Sequence, residues 1–579
     1  IYSDQSCYFI NINSGDTPLR VQTENSSALA VTNNVSSFDT HDIHESDLVS
    51  IVSGGQRWYG ELFDSGNLSQ SFAFNVPNID TSQPAKFQTW LAANAGSASG
   101  NTQTYSVNGS QLSVSTLPMS SSDFARDTES FDMTTPTTSM VLNLTVQRNS
   151  PDVLTYLDRV VLNARANLIF NQGQLNFRDN LSVGLGNVSE YSVSGLPVNG
   201  KVWDVTNRQS PKVIQGGFTG SDYLFQLESD SLREFVAYDA SSFFAPTRIG
   251  TVNYQNIHGL PQADYIIVTH PSFIAQAERL ASLHEGNGLV VHVVTTDDVY
   301  NEFSSGVPDA TAIKFLAKMF YDRGLVIPTN RIENLLLFGD GTYDPKNRVS
   351  NNNNYVLAYE VLNSESHISA TVADDYYGML DDGDGSQTGD LLDIGVGRLL
   401  ISDVQMAKEQ VDKIEHYMMN GSAFYESVGA SCEGNSGSST FGDWRTRYVQ
   451  VGDDEEGGYF LNIDSEPHYL SVKDSFPDMN SIKIYLDAFQ QTITAGGQRY
   501  PTVVAKINEE IGRGCLVFCY VGHGGEVGVA EERVITVPQI QDWRNINKLS
   551  LIVSATCEFT KFDDPSRVSA GEWASINPL

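Results

Sequence analysis

A histidine and a cysteine each follow a mostly apolar segment in the last part of the sequence. His523 lies in the sequence Gly-His-Gly-Gly directly after Cys515–Val521, and Cys557 comes just after Leu549–Ala555. A cysteine attacks a carbonyl carbon as its thiolate, and a nearby imidazole can take up the proton and later protonate the leaving amine. Because the carboxyl ends of parallel strands meet at one edge of a sheet, the two side chains are expected to share a crevice. The pattern therefore predicts nucleophilic catalysis by Cys557 with His523 as its acid–base partner.

Other groups near these segment ends could assist the reaction. A third apolar segment, Arg447–Gly452, ends in Asp453 and Asp454, and a carboxylate there could hold the imidazole in position. We take Asp454 as the orienting acid and keep Asp453 as the alternative. The backbone N–H groups of Cys557 and Gly524 could form an oxyanion hole, which would stabilise the negative charge of a tetrahedral intermediate.

Structural roles are the simpler interpretation of each residue taken alone. A lone buried cysteine usually packs as a small apolar side chain, and a Gly-His-Gly-Gly sequence can be only a tight turn after a strand. Both occur at the ends of apolar strands, one crossover apart, which favours a catalytic pair. Cys515 and Cys519 lie on one strand and would be roughly 13 Å apart, too far for a mutual disulfide, so they are expected in the core.

The sequence changes character near residue 250. Residues 1–250 are rich in Ser, Asn and Thr, and alternating segments such as Met140–Val146 predict a β-rich sandwich or barrel region of one or two modules. The Ser/Asn/Gly-rich stretch Asn94–Ser110 predicts a surface loop. From residue 263 onwards, apolar strands alternate with helical segments, which is typical of βαβ crossovers and a mainly parallel sheet. We expect an α/β fold with one subdomain over 251–425 and a second over 426–579.

The strands and helices of this α/β part are predicted from apolar runs and amphipathic patterns. The predicted strands are Ala263–His270, Leu289–Thr296, Asn334–Gly339, Asp393–Arg398, Arg447–Gly452, Cys515–Val521 and Leu549–Ala555. One predicted helix begins at Pro271, and the others cover Pro308–Arg323, Ser402–Tyr417, Pro501–Ile511 and Pro538–Trp543.

Composition excludes several classes of protein. The 579 residues include 35 Lys and Arg but 70 Asp and Glu, for a formal net charge of −35 at pH 7. Such a chain does not suit a nucleic-acid binder that contacts phosphates, or a protein that docks on an anionic membrane. No apolar run reaches the ~18 residues of a membrane-spanning helix, and Ile1–Asp4 has no feature of a signal peptide. The 5 cysteines cannot form a disulfide scaffold, and the disulfide state of Cys7 and Cys432 stays open.

A dense group of carboxylates lies between residues 381 and 393. It includes Asp382, Asp384, Asp390 and Asp393. Hard oxygen ligands favour Ca²⁺, so Asp382 and Asp384 are candidate ligands, although the spacing differs from that of an EF-hand loop. A solvated acidic turn is the simpler interpretation. The sequence has no zinc-type Cys/His spacing and no phosphate-binding glycine loop, and no cofactor is required for the predicted catalysis.

Motifs around the candidate residues resemble the gingipain family of cysteine peptidases. Val521–Glu526 is similar to the histidine motif of that family, and Ser554–Cys557 is similar to its cysteine motif. Further segments resemble one branch of the family, the sortases of type IX secretion. These segments are Gln56–Glu61, His258–Leu260, Ala263–Ile267, Tyr300–Gly306, Leu337–Asp344, Ala373–Gly378, Cys557–Phe559 and Gly571–Trp573. The resemblance extends over nearly the whole chain.

The resemblance implies an α/β caspase-like catalytic domain of the gingipain type, with His523 and Cys557 in the catalytic roles of the family. The third catalytic residue of the family is an acid, for which Asp454 is our choice. The substrate pocket of the family would fall near residues 464–466. Asp464 is therefore a candidate substrate-binding residue, together with Glu526 of the histidine motif. Gingipain-like enzymes bind structural calcium, which is compatible with a Ca²⁺ site in the acidic loop.

The sortase branch implies a specific activity, partners and location. The chain would be a cysteine endopeptidase and transpeptidase that removes the C-terminal sorting domains of exported cargo proteins. The thioester on Cys557 would then react with water or with an amine of lipopolysaccharide, which attaches the cargo to the cell surface. The implied partners are the cargo, outer-membrane components of type IX secretion and lipopolysaccharide. The implied location is the outer membrane or cell surface of a Gram-negative bacterium.

Two other functions are compatible with the same residues. One is a broad gingipain-like secreted endopeptidase, and the other is a non-catalytic surface binding module. The branch-specific segments argue against the first, and the candidate catalytic residues argue against the second. Gingipain-family members continue beyond the cysteine motif with further strand and helix, so we expect the chain to be a fragment of a longer exported protein.

Overall fold

The computed structural model describes residues 2–11, 15, 17, 19–94, 101–116, 123–239, 241, 243–326, 331–385, 389–418 and 440–577. Within these residues, a β-rich region precedes an α/β part, as the sequence predicts. Of the two cysteines whose disulfide state was left open, Cys7 is a free thiol and Cys432 lies outside the described residues.

The β-rich region is built from short, mostly antiparallel strands. Their bounds are β1 Gln22–Asn25, β2 Asn33–Val35, β3 Ser37–Glu45, β4 Leu62–Phe63, β5 Ser69–Asn75, β6 Ala85–Ala93, β7 Thr102–Val107, β8 Ser110–Thr116, β9 Ala125–Met133, β10 Ser139–Gln147, β11 Thr155–Asn167, β12 Gln174–Arg178, β13 Val188–Ser194, β14 Lys201–Asp204, β15 Lys212–Gln215, β16 Gly217–Thr219, β17 Asp222–Glu228 and β18 Glu234–Tyr238. The described strands form sheets in the orders β1-β15-β14-β18-β12, β5-β10-β7-β8, β3-β11-β6-β9 and β16-β17-β13-β2.

Alternating side chains explain why these sheets pack on one another. In β10 every second residue from Met140 to Val146 is buried, and the apolar residues of all these sheets join in one hydrophobic core. The predicted surface loop is wrong for Thr102–Val107, which forms β7. Tyr105 and Val107 point into the core, so the burial of alternate side chains outweighs the polar composition of the stretch. Residues 95–100 of the same stretch lie outside the described residues.

The first half of the α/β part alternates strands with helices. Its elements are β19 Tyr265–Thr269, α1 Ile274–Glu285, β20 Val291–Thr295, α2 Thr296–Phe303, α3 Ala310–Val326, β21 Asn334–Phe338, β22 Gly395–Leu399 and α4 Val404–Met418. The described strands lie in the order β20-β19-β21-β22, with parallel pairings throughout. Ile266 and Val268 of β19 face a core that contains α3, whereas Ile267 faces a core that contains α1 and α4. Helices on both faces explain why β19 is a continuous apolar run.

The second half repeats this arrangement. Its elements are β23 Arg447–Gly452, α5 Glu455–Tyr459, a π-helical segment Phe460–Ser465, α6 Glu466–Ser475, β24 Asn480–Tyr485, β25 Thr492–Thr494, β26 Gly497–Arg499, α7 Pro501–Arg513, β27 Val517–Val521, β28 Gly524–Gly525, β29 Gly528–Val529, β30 Ile535–Thr536, α8 Val537–Asp542, β31 Leu551–Ala555 and α9 Ala570–Ile576. The order β24-β23-β27-β31 is again parallel. The described strands therefore form a separate parallel sheet in each half, where the sequence predicted a mainly parallel sheet without dividing it.

The hydrophobic cores follow the chain in sequence order. The core of the β-rich region lies between Val35 and Ala237, that of the first α/β half between Ile257 and Val411, and that of the second between Tyr448 and Ala570. The predicted boundary at 250 falls between the first two cores, and the boundary at 425 lies outside the described residues. Tyr2 departs from the predicted division, because it packs against the core of the first α/β half. In the described ranges, no helix has the length and apolar character needed to cross a membrane.

Polar contacts join the β-rich region to the first α/β half. The carboxylate of Glu365 accepts hydrogen bonds from Arg57 Nη1 and from the Tyr59 hydroxyl, each at 2.6 Å. The N–H of Gly55 donates to Glu360 Oε2 at 3.0 Å. The segment Gln56–Glu61 thus bridges the two regions. The guanidinium of Arg57 is paired with Glu365, because an unpaired charge would be costly at a partly buried junction.

Candidate active site

Neighbouring strands place His523 and Cys557 at the same edge of the second parallel sheet. β27 and β31 pair in register, with Val521 opposite Ala555. His523 and Cys557 each follow two residues beyond this last pair, so both backbones leave the sheet side by side. Cys557 is exposed, and the side chain of His523 keeps 45% of its surface open to solvent. Both reactive groups are therefore accessible to a bound peptide.

The backbone of His523 is anchored by a hydrogen bond to Asp453. The His523 N–H donates to Asp453 Oδ2 at 2.9 Å. The Tyr520 hydroxyl lies 2.7 Å from the carbonyl oxygen of His523 and 3.2 Å from the same Asp453 oxygen. Gly522 has to be a glycine here, because a Cβ at that position would come within 2.2 Å of the Asp453 Cβ. A fully buried carboxylate thus anchors the strand exit that carries the imidazole.

The imidazole ring contacts side chains of the segment that follows β23. Phe460 packs edge-to-face on it, with ring centroids 5.0 Å apart and an interplanar angle of 81°. Glu456 Oε1 lies 3.3 Å from His523 Nε2. Glu456 has a positive φ of 55° and is followed by Gly457 and Gly458, both also left-handed. This left-handed turn places the carboxylate of Glu456 next to the imidazole ring of His523.

Among the contacts of the described residues, Asp454, the predicted orienting acid, does not meet the imidazole. Its Oδ2 accepts a hydrogen bond from the Tyr500 hydroxyl at 2.7 Å, and its Oδ1 is buried. Asp453, the alternative, contacts the backbone of His523 and not the ring. Among the described contacts, the carboxylate that meets the ring is that of Glu456, which sequence reasoning missed. A signal was present, because a glutamate followed by two glycines just after a strand end allows the left-handed turn that this contact needs.

The loops that carry the histidine and the cysteine touch each other. A Cβ on Gly524 would lie 2.3 Å from Thr556 Oγ1, so only a glycine allows this approach. Gly524 also opens the small antiparallel sheet β28-β29-β30, and Glu558, directly after Cys557, has a left-handed φ of 54°. The backbone N–H groups of Gly524 and Cys557 lie on these adjacent loops, and their role as an oxyanion hole stays a prediction.

The predicted substrate-binding residues have different surroundings. Asp464 is half-buried in the π-helical segment next to the histidine loop. The carboxylate of Glu526 is 2.6 Å from Arg567 Nη1, and its carbonyl accepts the N–H of Ala570 at 2.7 Å. Glu526 therefore ties the histidine loop to the start of α9, and its carboxylate already has a cationic partner. The substrate contacts of both residues stay predictions.

The two predicted calcium ligands differ in exposure, because Asp382 is open to solvent and Asp384 is half-buried. Asp382 is 96% exposed and pairs with Lys318 Nζ at 2.9 Å. The backbone carbonyl of Asp384 accepts a hydrogen bond from Lys314 Nζ at 2.7 Å. These lysines supply positive charge to the acidic loop. In the part of the chain that the structure describes, the carboxylates whose ligand atoms all lie within 4.8 Å of one another belong instead to Asp453, Asp454 and Glu532.

Comparison with known families agrees with this arrangement. Residues 258–578, more than half of the chain, match the sequence model of peptidase family C25. The chain belongs to peptidase family C25. This is the family of the gingipains, so the predicted resemblance and the caspase-like fold of the α/β part are both confirmed.

The solved structures add a more specific likeness. The chain is similar to dimeric latent PorU from Porphyromonas gingivalis, with 26% sequence identity and a TM-score of 0.61. This match covers 69% of the chain and 40% of PorU, so the chain spans about two fifths of the length of that relative. The RgpB pro- and mature domains from Porphyromonas gingivalis match at 16% identity and a TM-score of 0.37, covering 54% of this chain and 60% of that one. No curated protein sequence matches the chain.

Proposed function

We propose that the chain is the catalytic part of a cysteine endopeptidase in which Cys557 is the nucleophile and His523 the acid–base partner. The thiolate of Cys557 attacks the peptide carbonyl, and the backbone N–H groups of Cys557 and Gly524 hold the oxyanion. His523 then protonates the leaving amine as the C–N bond breaks, which leaves a thioester on Cys557. The single observation that supports this proposal is the in-register pairing of β27 and β31, from which both residues emerge side by side.

In the proposed second step, the thioester passes the peptide to an acceptor. An amine or water attacks the thioester carbonyl while His523 takes the proton of the attacking group, and the thiolate of Cys557 leaves. The reaction requires only these side chains, so no cofactor is needed. Asp453 fixes the position of the histidine backbone. Glu456 and Phe460 fix the orientation of the imidazole ring. We therefore assign Glu456, ahead of Asp454, as the carboxylate that orients the imidazole.

The match to PorU supports a sortase in preference to a general peptidase. We propose that the substrates are exported cargo proteins with C-terminal sorting domains, and that lipopolysaccharide supplies the acceptor amine. The partners are outer-membrane components of type IX secretion, and the location is the surface of a Gram-negative cell. The broad gingipain-like endopeptidase is the alternative that the experiment has to exclude.

The test replaces the nucleophile in the full-length protein. We expect Cys557→Ala to abolish removal of the sorting domain from cargo, measured by mass spectrometry of the cargo termini. Cys7→Ala is the matched control, because Cys7 is also a free thiol but lies elsewhere in the structure, and processing should continue. Unchanged processing in Cys557→Ala would contradict the peptidase. Rapid cleavage of generic Arg or Lys peptides by the wild type would favour the gingipain-like alternative.

A further inference from the structure

A pocket of about 280 Å³ opens on the outer face of the sheet β3-β11-β6-β9 in the β-rich region. Its floor includes Lys86 and Asn163, which alternate along their strands with core residues and therefore point away from the core. Lys86 and His41 are the register partners of Asn163 on the two neighbouring strands, so the three side chains form one row across the sheet. The volume lies near the lower end of the range of small-ligand sites, roughly 300–1,000 Å³.

Ion pairs and a backbone hydrogen bond hold the wall of the pocket in place. Arg165 Nη1 contacts Asp39 Oδ1 at 2.8 Å and Asp179 Oδ1 at 2.6 Å. Asp39 Oδ2 also accepts the N–H of Asn180 at 2.7 Å, which ties β3 to the segment after β12. The side chain of Arg165 is only 12% exposed, so water and salt screen its ion pairs little. The pocket is therefore formed before a ligand arrives, which lowers the entropy cost of binding.

The side chains of the floor are available to a ligand. Lys86, Asn163 and His41 are exposed, and none of them forms a hydrogen bond or an ion pair with another described residue. Asp132 is the register partner of Lys86 on β9, but the two side chains do not form an ion pair. The side-chain amide of Asn180, which lines the pocket and is exposed, has no partner among the described residues. The pocket thus presents one ammonium group, one imidazole and two amides to solvent.

The charges of the pocket favour an anionic ligand. Its lining includes three cationic side chains and one carboxylate, whereas the whole chain has a net charge of −35. Arg165 pairs with Asp39, and Arg178 lies 3.1 Å from a carboxylate oxygen of Glu234. Lys86 is the lining cation that is left to meet an acid. An ammonium group only donates hydrogen bonds, and a carboxylate or phosphate oxygen is its strongest acceptor.

The other available groups favour a ligand with many hydroxyls. The amides of Asn163 and Asn180 each donate and accept hydrogen bonds, and a hydroxyl group has the same double character. Pro84 adds a small apolar surface, on which the C–H face of a sugar ring can lie. A docked peptide would need apolar pockets for its side chains, and the lining offers only Pro84 and Ala164 for that purpose. A sugar therefore suits the pocket better than a peptide.

We propose that this pocket binds a sugar that carries a carboxylate or phosphate group. Lys86 pairs with the acid group. Asn163 and His41, in the same row, and Asn180 in the wall bind the hydroxyls of the ring. The site lies in the β-rich region and uses none of the groups assigned to peptide cleavage, so sugar binding is independent of the proposed function.

Binding is measured on the full chain by saturation-transfer NMR and titration calorimetry. The probes are D-glucuronate and D-galacturonate as carboxylates, D-glucose 6-phosphate and D-galactose 6-phosphate as phosphate esters, and the two neutral parent sugars. We expect saturable binding of at least one acidic sugar, weaker binding of its neutral parent, and loss of this difference at high salt, because added ions screen an exposed charge. A preference for the uronates assigns a carboxylate to the ligand, and a preference for the esters assigns a phosphate.

Substitutions at exposed positions separate the charge from the hydrogen bonds. Lys86→Met removes the charge and nearly keeps the side-chain length, so it should weaken the acidic sugar about five- to tenfold and leave the neutral sugar unchanged. Asn163→Ala should weaken the acidic and the neutral sugar alike. Lys201→Met is the matched control, because Lys201 is an exposed lysine of β14 outside the pocket. All three side chains are exposed, so the variants should melt like the wild type.

Other outcomes would overturn the site. These are no saturable binding of any acidic sugar, an unchanged affinity in Lys86→Met, or an equal loss in Lys201→Met. Inorganic phosphate or acetate that binds as tightly as the sugars would reduce the pocket to a simple anion site. A short acidic peptide that binds as tightly would identify it as a protein-docking site instead.

One more variant separates this site from the proposed function. Cys557→Ala should bind the acidic sugar like the wild type while it no longer processes cargo. If Cys557→Ala still processes cargo, the proposed function fails and the sugar site is unaffected. If Cys557→Ala is inactive but no acidic sugar binds the wild type, the sugar site fails and the proposed function is unaffected.

Discussion

The side chain and backbone of His523 are held by contacts of unequal strength. The backbone N–H meets a fully buried carboxylate, which makes a charge-assisted hydrogen bond in a region of low dielectric. The ring meets Phe460 and the carboxylate of Glu456, which is 64% exposed. The position of the loop is thus strongly determined, whereas the orientation of the ring depends on a contact that solvent weakens.

The ring contact predicts a small kinetic effect of Glu456. An exposed ion pair contributes about 0.5–1 kcal/mol, which corresponds to roughly two- to fivefold in rate. We expect Glu456→Gln to lower kcat by that factor with KM nearly unchanged, measured on a cargo-derived peptide. The exposed Glu531 provides the control, because Glu531→Gln should not change kcat. An equal loss in both variants, or a lowered melting temperature in Glu456→Gln, would show that the contact does not position the ring.

Close backbone packing predicts a stability effect at Gly522. A Cβ there would lie 2.2 Å from the Asp453 Cβ, whereas a Cβ on Gly525 would meet nothing within 4 Å. We expect Gly522→Ala to destabilise the second α/β half by about 2–3 kcal/mol and Gly525→Ala by less than about 0.5 kcal/mol. Chemical unfolding followed by circular dichroism measures both values. Equal effects in the two variants would mean that the loop moves to accommodate the added methyl group.

At the level of elements, apolar runs and helical patterns predict the α/β part well. Strand Arg447–Gly452 is predicted with the bounds that the structure has, and helix Pro501–Arg513 extends its predicted range by one half-turn. β24, at the edge of the second sheet, escapes prediction because only Ile484 of Asn480–Tyr485 is fully buried. An edge strand that is half solvated has no continuous apolar pattern to reveal it.

Helix α9 begins with a capping box that holds a buried carboxylate. The side chain of Glu572 accepts the N–H of Ser569 at 2.6 Å, and the Ser569 hydroxyl accepts the N–H of Glu572 at 3.4 Å. Burial raises the pKa of Glu572 to about 7. The protonated form is therefore the one that suits the folded state, and the helix is sensitive to pH through this residue.

This carboxyl group predicts a pH dependence of stability. A carboxyl whose pKa is higher in the folded than in the unfolded state contributes stability at low pH and loses it as pH rises through the folded value. We expect the melting temperature to fall between pH 5 and pH 8, and Glu572→Gln to reduce that fall while keeping the capping box. Glu278→Gln, on the exposed face of α1, is the control with an unchanged profile. A Glu572→Gln profile identical to that of the wild type would contradict the assignment.

At the level of the whole molecule, buried carboxylates lie where the three regions meet. Glu360, from the first α/β half, accepts the N–H of Gly55 from the β-rich region. Burial, and after it the charge of Asp563 in the second half, raises the pKa of Glu360. Asp563 lies a few residues after Cys557, and its carbonyl accepts the N–H of Tyr343. The loop of the candidate nucleophile is therefore supported by the first α/β half, which in turn holds the β-rich region through Glu360.

The pairing of Glu365 with Arg57 predicts how firmly the β-rich region is attached. Removal of the Glu365 carboxylate takes away the hydrogen-bond acceptor of Arg57 and of the buried Tyr59 hydroxyl. Arg57 keeps its longer contact with Asp158 at 3.5 Å, so Glu365→Ala should cost about 1–2 kcal/mol. We expect calorimetry to show the β-rich region unfolding in a separate, earlier transition. The exposed pair of Arg159 and Glu45, at 3.9 Å, gives the control Glu45→Ala with a change below about 0.5 kcal/mol. A single unchanged transition in Glu365→Ala would mean that apolar contacts alone hold the junction.

The sequence by itself was enough to find the family, the β-rich and α/β parts, and His523 with Cys557. These depend on local patterns and on one general rule, that parallel strands end at a common edge. Only the tertiary structure decided which carboxylate meets the imidazole and which acids lie together behind it. Glu456 reaches the ring through a left-handed turn, and Glu532 joins Asp453 and Asp454 from a distant loop. Such contacts depend on how loops fold back over a sheet, and no periodicity along the chain encodes that.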